Sequence, residues 1–234
     1  MITIYPASSR HTADHGWLKS HFSFSFAEYY NPENMNFGPM RVLNDDIVKP
    51  HRGFGAHPHR EMEIVSIVLS GYLKHEDSAG HTATTTFGGV QRMSAGTGVI
   101  HSEVNPSSDE DVNFLQLWFE PKENGLTPSY EQTNFDVDQL KNQLLPIVSQ
   151  EPISEQTAYI HQDLTVYLSD LEKGQELTFT QKEGRRIFLF VIEGKVMINA
   201  EAVLHQRDSA RITETGTLQI IAESDSRFML IDLP

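Results

Sequence analysis

The apolar residues of this chain come in short runs of β-branched and aromatic side chains, each stopped by a turn signal, and that pattern commits the fold to many short strands. IVSIVL at 64–69 runs into Ser70-Gly71, FLQLWF at 114–119 stops before Pro121, IFLFVI at 187–192 ends at Glu193-Gly194, and FMLID occupies 228–232. A succession of such strands makes a sandwich or a barrel. The longest purely apolar run, at 187–192, is six residues, against the roughly 20 that a membrane helix needs. One segment departs from the pattern. Val137, Leu140, Leu144 and Leu145 recur at helical spacing behind Asp136 and Asp138, which predicts a short helix within 136–148.

That helix, three prolines and many polar residues fall between 124 and 156, so the stretch reads as a connector between two strand-rich halves. The expected domains are 1–130 and 131–234, the second including the connector. An internal echo supports a duplicated β-barrel: IVSIVLSGY at 64–72 and FLFVIEGKV at 188–196 both pass from a buried strand through a glycine turn into a further strand. The histidines do not echo, because nine of the eleven precede residue 110. Metal chemistry therefore belongs to the first domain.

Composition narrows the function. A net charge of −14 repels phosphate backbones and anionic lipid, which argues against direct nucleic-acid contact or a membrane surface. With no cysteine in the chain, disulfides, thiolate metal sites and cysteine nucleophiles are excluded, and a metal must sit on nitrogen and oxygen. Arg10, His11, Asp14 and His15 stand where a secretory signal needs an apolar core, so the expected location is the cytoplasm.

The sharpest local feature is Gly53-Phe54-Gly55-Ala56-His57-Pro58-His59. In a strand, residues two apart face the same way, so His57 and His59 present two imidazoles side by side. His101 and Glu103, in Gly98-Val99-Ile100-His101-Ser102-Glu103, form a second pair of the same period. Brought together, the two pairs supply three imidazoles and a carboxylate, with room for water or substrate on the metal. Glu61 and Glu63 share the parity of the histidine pair and compete with Glu103 for the carboxylate role. His51, His75 and His81 lie in turn-like surroundings and read as solvated. Phe22, Phe24, Phe26, Phe37 and Phe54 could wall a flat substrate pocket, although alternating phenylalanines more often fill a core.

These residues resemble the first cupin motif, with Glu63 and Gly71 following the histidine pair, and the second, with Gly98, His101 and Asn105. More specifically, Phe24-Ser25-Phe26-Ala27-Glu28-Tyr29-Tyr30, Arg41-Val42-Leu43-Asn44-Asp45-Asp46, His57-Pro58-His59-Arg60, Leu115-Gln116-Leu117-Trp118 and Pro128-Ser129-Tyr130-Glu131-Gln132 are similar to blocks of the pirin family, and occur in the family's order. The resemblance implies an all-β bicupin of two β-barrels (double-stranded β-helices) joined by a short helix. It places one divalent metal on His57, His59, His101 and Glu103, and leaves the second barrel degenerate, with Glu183-Gly184-Arg185-Arg186 where an H-x-H would lie. It also implies quercetin 2,3-dioxygenase activity, in which a flavonol loses its 3-hydroxyl proton to Glu103 and reacts with O2, releasing carbon monoxide. Fe(II) suits that ligand set first, with Mn, Ni, Co, Cu and Zn as further candidates. The alternative implied by the family is a redox-sensitive regulatory protein that binds a transcription factor or a metabolic enzyme without turnover.

Overall fold

The computed structural model describes residues 1–234 as 22 strands and two single turns of 3-10 helix. In chain order the strands are β1 (Ile2–Tyr5), β2 (His11–Asp14), β3 (Leu18–Phe22), β4 (Met40–Val48), β5 (Gly53–His59), β6 (Glu63–Ser70), β7 (Leu73–Asp77), β8 (Thr82–Thr85), β9 (Gly89–Ser94), β10 (Val99–Val104), β11 (Val112–Phe119) and β12 (Ser129–Asn134). They continue as β13 (Leu145–Ser149), β14 (Ala158–Tyr159), β15 (Thr165–Leu171), β16 (Glu176–Thr180), β17 (Arg186–Glu193), β18 (Lys195–Ile198), β19 (Ala202–His205), β20 (Ser209–Thr213), β21 (Thr217–Ala222) and β22 (Ser226–Leu233). No helix is long and apolar enough to cross a membrane.

The helix expected within 136–148 does not form. Val137–Leu140 is one 3-10 turn, capped by the Asp136 side chain, which accepts from the Asp138 N–H, and Leu145–Ser149 is a strand paired with β15. Pro146 accounts for part of the difference, because it has no N–H to give a helix and drives the residue before it towards extended backbone. The apolar positions at helical spacing are thus divided between a buried Leu140 and a strand.

The chain condenses into two compact units, one of residues 11–134 and 151–162, the other of residues 1–10, 135–150 and 163–234. The contiguous division 1–130 and 131–234 is therefore interleaved. At one end, β1 pairs with β20 from Ile2 opposite Ile212 to Tyr5 opposite Ser209, which takes the N-terminus into the second unit. At the other, backbone N–H groups of His161 and Gln162 donate to buried Glu63, which ties 151–162 to the first.

Each unit is a pair of antiparallel sheets rather than one closed barrel. In the first, the larger sheet runs β12-β9-β6-β11-β4-β3-β2 and the smaller β5-β10-β7-β8. In the second, the larger runs β1-β20-β17-β22-β15-β13 and the smaller β16-β21-β18-β19. The order β9-β6-β11-β4 is repeated as β20-β17-β22-β15, and the small sheets match strand for strand. The sequence echo marks this repeat: β6 leaves the large sheet through Gly71 to become β7, and β17 leaves through Gly194 to become β18. Both glycines have positive φ, 76° and 82°. A Cβ at Gly71 would lie 2.5 Å from Asp111 O, and one at Gly194 would lie 2.2 Å from Asp225 O.

The registers align the two units residue by residue. Glu103 pairs with His75 across β10 and β7, as Ile220 pairs with Ile198 across β21 and β18. His101 pairs with His57, as Leu218 pairs with Phe179. The positions equivalent to His57 and His59 are therefore Phe179 and Gln181. The expected Glu183-Gly184-Arg185-Arg186 lies a few residues further on, in the turn into β17. Around Leu218 and Ile220 the second unit is packed with aliphatic side chains, Leu189, Val191, Ile198 and Leu230 among them. The first unit instead buries Ser66, His75, Gln91, His101, Glu103 and Gln116.

Gly71→Ala and Gly194→Ala should each lower stability by at least about 1–2 kcal/mol, since an L side chain is strained at positive φ and here also meets a carbonyl. Calorimetric melting of the two variants measures this, and an unchanged melting profile would refute the equivalence of the two turns.

Candidate metal centre

The small sheet of the first unit assembles the histidines. The antiparallel pairing of β5 and β10 sets His57 directly opposite His101, and His59, two residues along β5, faces the same way. The three imidazole centroids form a near-equilateral triangle with sides of 4.5, 4.8 and 4.8 Å. One ring nitrogen from each lies within 4.8 Å of the others.

Hydrogen bonds say which nitrogens are free. His57 Nδ1 is 2.7 Å from the Gly55 carbonyl; a carbonyl only accepts, so Nδ1 carries the proton and Nε2 holds the lone pair. His59 Nε2 and His101 Nε2 are buried and have no hydrogen-bond partner. Buried polar atoms are normally satisfied, so two orphaned imidazole nitrogens in one triangle are what a metal would complete. The edge of His59 rests on Trp118 at 4.8 Å, and Trp118 packs against Phe26 at 5.3 Å.

Glu103 lies in a second close group, with His75 and His101, that shares only His101 with the triangle. Its ligand oxygen lies within 4.8 Å of ring nitrogens of His101 and His75. Oε1 accepts from Ser66 Oγ at 2.8 Å and Oε2 from Gln116 Nε2 at 3.0 Å. Gln116 is oriented by Trp118, whose Nε1 donates to Gln116 Oε1. Burial pushes the Glu103 carboxyl up to about 7 against these two neutral donors. Burial, with neighbouring His57, lowers His59 to about 4; burial, with His59, His57 and His75, lowers His101 to about 3. Both imidazoles are therefore neutral at neutral pH, and the buried carboxylate has no positive charge beside it.

The competing carboxylates lie elsewhere. Glu63 is 1% exposed but accepts from Ser94 Oγ and from the backbone N–H groups of His161 and Gln162. The exposed side of Glu61 accepts from the Gly125 N–H. Parity alone could not separate these roles, because β6 turns its Glu63 towards the returning segment rather than towards β5. His75 is not solvated as its local sequence suggests: it is 2% exposed in β7, stacked on Tyr130 at 4.2 Å. The signal was present in His75-x-Asp77, a same-face pair immediately after the Gly71 turn. Of the five phenylalanines, Phe22 and Phe24 are buried in the core and Phe54 packs on Trp17. Phe26 stands next to the site through Trp118, and Phe54 pairs with Glu103 across β5 and β10.

Two units of paired antiparallel sheets in one repeated order, with imidazoles gathered on the small sheet of the first, define a bicupin with a candidate centre for a divalent metal. The chain belongs to the pirin family: the Pirin model matches residues 6–119, and the model of the quercetinase C-terminal cupin domain matches residues 147–233. It is 41% identical over 234 residues to a quercetin 2,3-dioxygenase of Escherichia coli K12, covering 100% of this chain and 99% of that one. It is 36% identical to a pirin-like protein of Caulobacter vibrioides, covering 99% of each. Among solved structures, the bacterial pirin YhhW from Escherichia coli in complex with nickel(II) superposes with a TM-score of 0.94 at 40% identity, covering 100% of this chain and 99% of that one.

Two outcomes are expected. Because the Glu103 carboxyl is held near 7, it is largely protonated at pH 6 and ionised at pH 8, so metal uptake should release about one more proton at pH 6 than at pH 8. Calorimetric titration with Ni(II) in buffers of different ionisation enthalpy measures this, and Glu103→Gln should reduce the difference. Separately, Glu63→Ala should speed amide hydrogen exchange across 158–162 while metal content stays at the wild-type level; unchanged exchange would refute the anchoring role.

Proposed function

We propose that this chain is a metal-dependent dioxygenase that opens the flavonol ring of quercetin with O2 and releases carbon monoxide. The observation that carries the reading is the pair of buried, unpartnered Nε2 atoms on His59 and His101, set beside His57 and Glu103 in a chain alike from end to end to a quercetin 2,3-dioxygenase. His57, His59, His101 and Glu103 would hold the ion. Fe(II) is the ion proposed, since a nitrogen and oxygen set with open positions suits non-haem iron. Bound there, the ion supplies positive charge that favours the ionised form of an enol hydroxyl, and a redox-active centre for dioxygen chemistry.

The rest is done by side chains. The space enclosed where Ser66, His75, Gln91, His101, Glu103 and Tyr130 meet is about 10 Å³, enough for about one water. A flavonol therefore has to approach from outside that space, where His57 and His59 are partly exposed. Glu103, with its carboxyl pushed up to about 7, is matched to take the 3-hydroxyl proton at neutral pH. Ser66 and Gln116 keep the carboxylate in place as it gains and loses that proton.

The test is turnover of quercetin by the iron-loaded protein under O2, followed by loss of flavonol absorbance and by carbon monoxide. His57→Ala and Glu103→Gln should each lower turnover by about 10²–10⁴-fold, the range expected when an acid–base group or its metal support is lost. Turnover at the wild-type rate in both variants would refute the assignment.

A further inference from the structure

Behind the imidazole triangle lies a line of buried polar groups that the proposed reaction does not use. His101 Nδ1 is 3.3 Å from His75 Nδ1, and His75 Nε2 is 3.2 Å from Asp77 Oδ2. Asp77 is itself held by four contacts. Its Oδ1 accepts from the Ala79 and His81 backbone N–H groups at 2.9 and 3.0 Å, and His81 Nδ1 approaches Oδ1 at 3.1 Å and Oδ2 at 2.9 Å. The side chains of His75 and Asp77 are 2% and 1% exposed. Tyr130 stacks on the His75 ring with an interplanar angle of 15° and fixes its plane.

The order of donors along this line follows from Asp77. A carboxylate only accepts, so the His75 nitrogen facing it, Nε2, carries the proton. In the neutral His75 ring that leaves Nδ1 as the acceptor. The proton between His75 and His101 then belongs to His101 Nδ1, and that leaves His101 Nε2 as the lone pair. This is the atom that lies buried without a partner. His75 also belongs to a second close group with His101 and Glu103, but both its nitrogens are already committed, whereas His59 and His101 each keep a free Nε2.

We propose that Asp77 and His75 are positioning residues that fix the tautomer of His101 and so present its Nε2 to the metal. The familiar arrangement of a carboxylate orienting a metal-bound histidine is here lengthened by one imidazole. The proposal rests on the reading that His57, His59, His101 and Glu103 hold a divalent ion. It does not depend on the identity of the substrate.

Co(II) affinity, measured by competition with a chelator, and the visible spectrum of the Co(II) protein provide the test. Asp77→Asn is nearly isosteric. With its carbonyl on the backbone N–H groups, the new amide nitrogen would donate to His75 Nε2, reverse the whole line and put the proton on His101 Nε2, much as the wrong tautomer disables a catalytic histidine. Asp77→Asn and His75→Leu should each weaken Co(II) binding by about 10–100-fold and change the spectrum. His75→Gln, whose side chain can accept from His101 and donate to Asp77, should recover most of the affinity and the wild-type spectrum. Circular dichroism and melting of the metal-free variants identify any that fail to fold. A folded Asp77→Asn protein with wild-type affinity and spectrum would overturn the proposal, as would a His75→Gln protein no better than His75→Leu. Wild-type protein that bound no Co(II) would overturn the metal-site reading itself, and the relay with it.

Discussion

The pairing of β5 with β10 is the constraint on which the site depends. Main-chain hydrogen bonds set His57 opposite His101, and pleating alone carries His59 to the same face. The pairing is not regular. Between His101 and Glu103 the register shifts, so that Glu103 faces Phe54 and β5 carries one residue more than β10. A bulge of this kind bends its strand and re-aims a side chain. On its other edge β10 pairs regularly with β7, which brings Glu103 opposite His75 and His101 opposite Asp77. One strand thus serves two neighbours: towards β5 it completes the imidazole triangle, and towards β7 it meets the groups that hold that triangle in place.

The two units show what this chemistry costs in packing. At positions that the registers make equivalent, the first has His57, His101, Glu103 and His75, and the second has Phe179, Leu218, Ile220 and Ile198. An apolar interior needs only area and volume to be stable. A polar interior needs every group met, because a buried polar atom left alone costs about 1–3 kcal/mol. Around Glu103 the first unit meets that demand with a chain of neutral donors, from Trp118 to Gln116 to Glu103, with Ser66 alongside. The fold is common to both units, and the function resides in which of them accepted the polar residues.

Much of this is legible in sequence because it is periodic. The alternation of His57 with His59 and of His101 with Glu103 reports a shared face, and the repeated strand-glycine-strand phrase reports the duplicated frame. What is not legible depends on contacts between segments distant in the chain. Glu63 carries the same parity as the histidines, yet its partners lie almost a hundred residues away, at His161 and Gln162. The apolar residues within 136–148 keep helical spacing, but Pro146 and pairing with β15 outweigh it. β1 joins the sheet of the second unit through β20, and nothing in four residues of a terminal strand announces that partner.

His75 shows why local sequence misjudges a buried histidine. It follows a glycine turn and is flanked by Lys74 and Glu76, which both face outwards, so its neighbours in the chain suggest solvent. In the strand it points the other way, between Tyr130 and His101. A histidine retained only for packing would be expected to satisfy its own two nitrogens and leave its neighbours satisfied too. His75 satisfies itself, through Asp77 and His101, while the far nitrogen of His101 is left bare beside the bare nitrogen of His59. Two such unmet ring nitrogens side by side are a cost in the metal-free protein, and metal coordination is an interaction that would remove both at once. The hydrogen-bond inventory therefore argues for the same centre as the geometry, without reference to any relative.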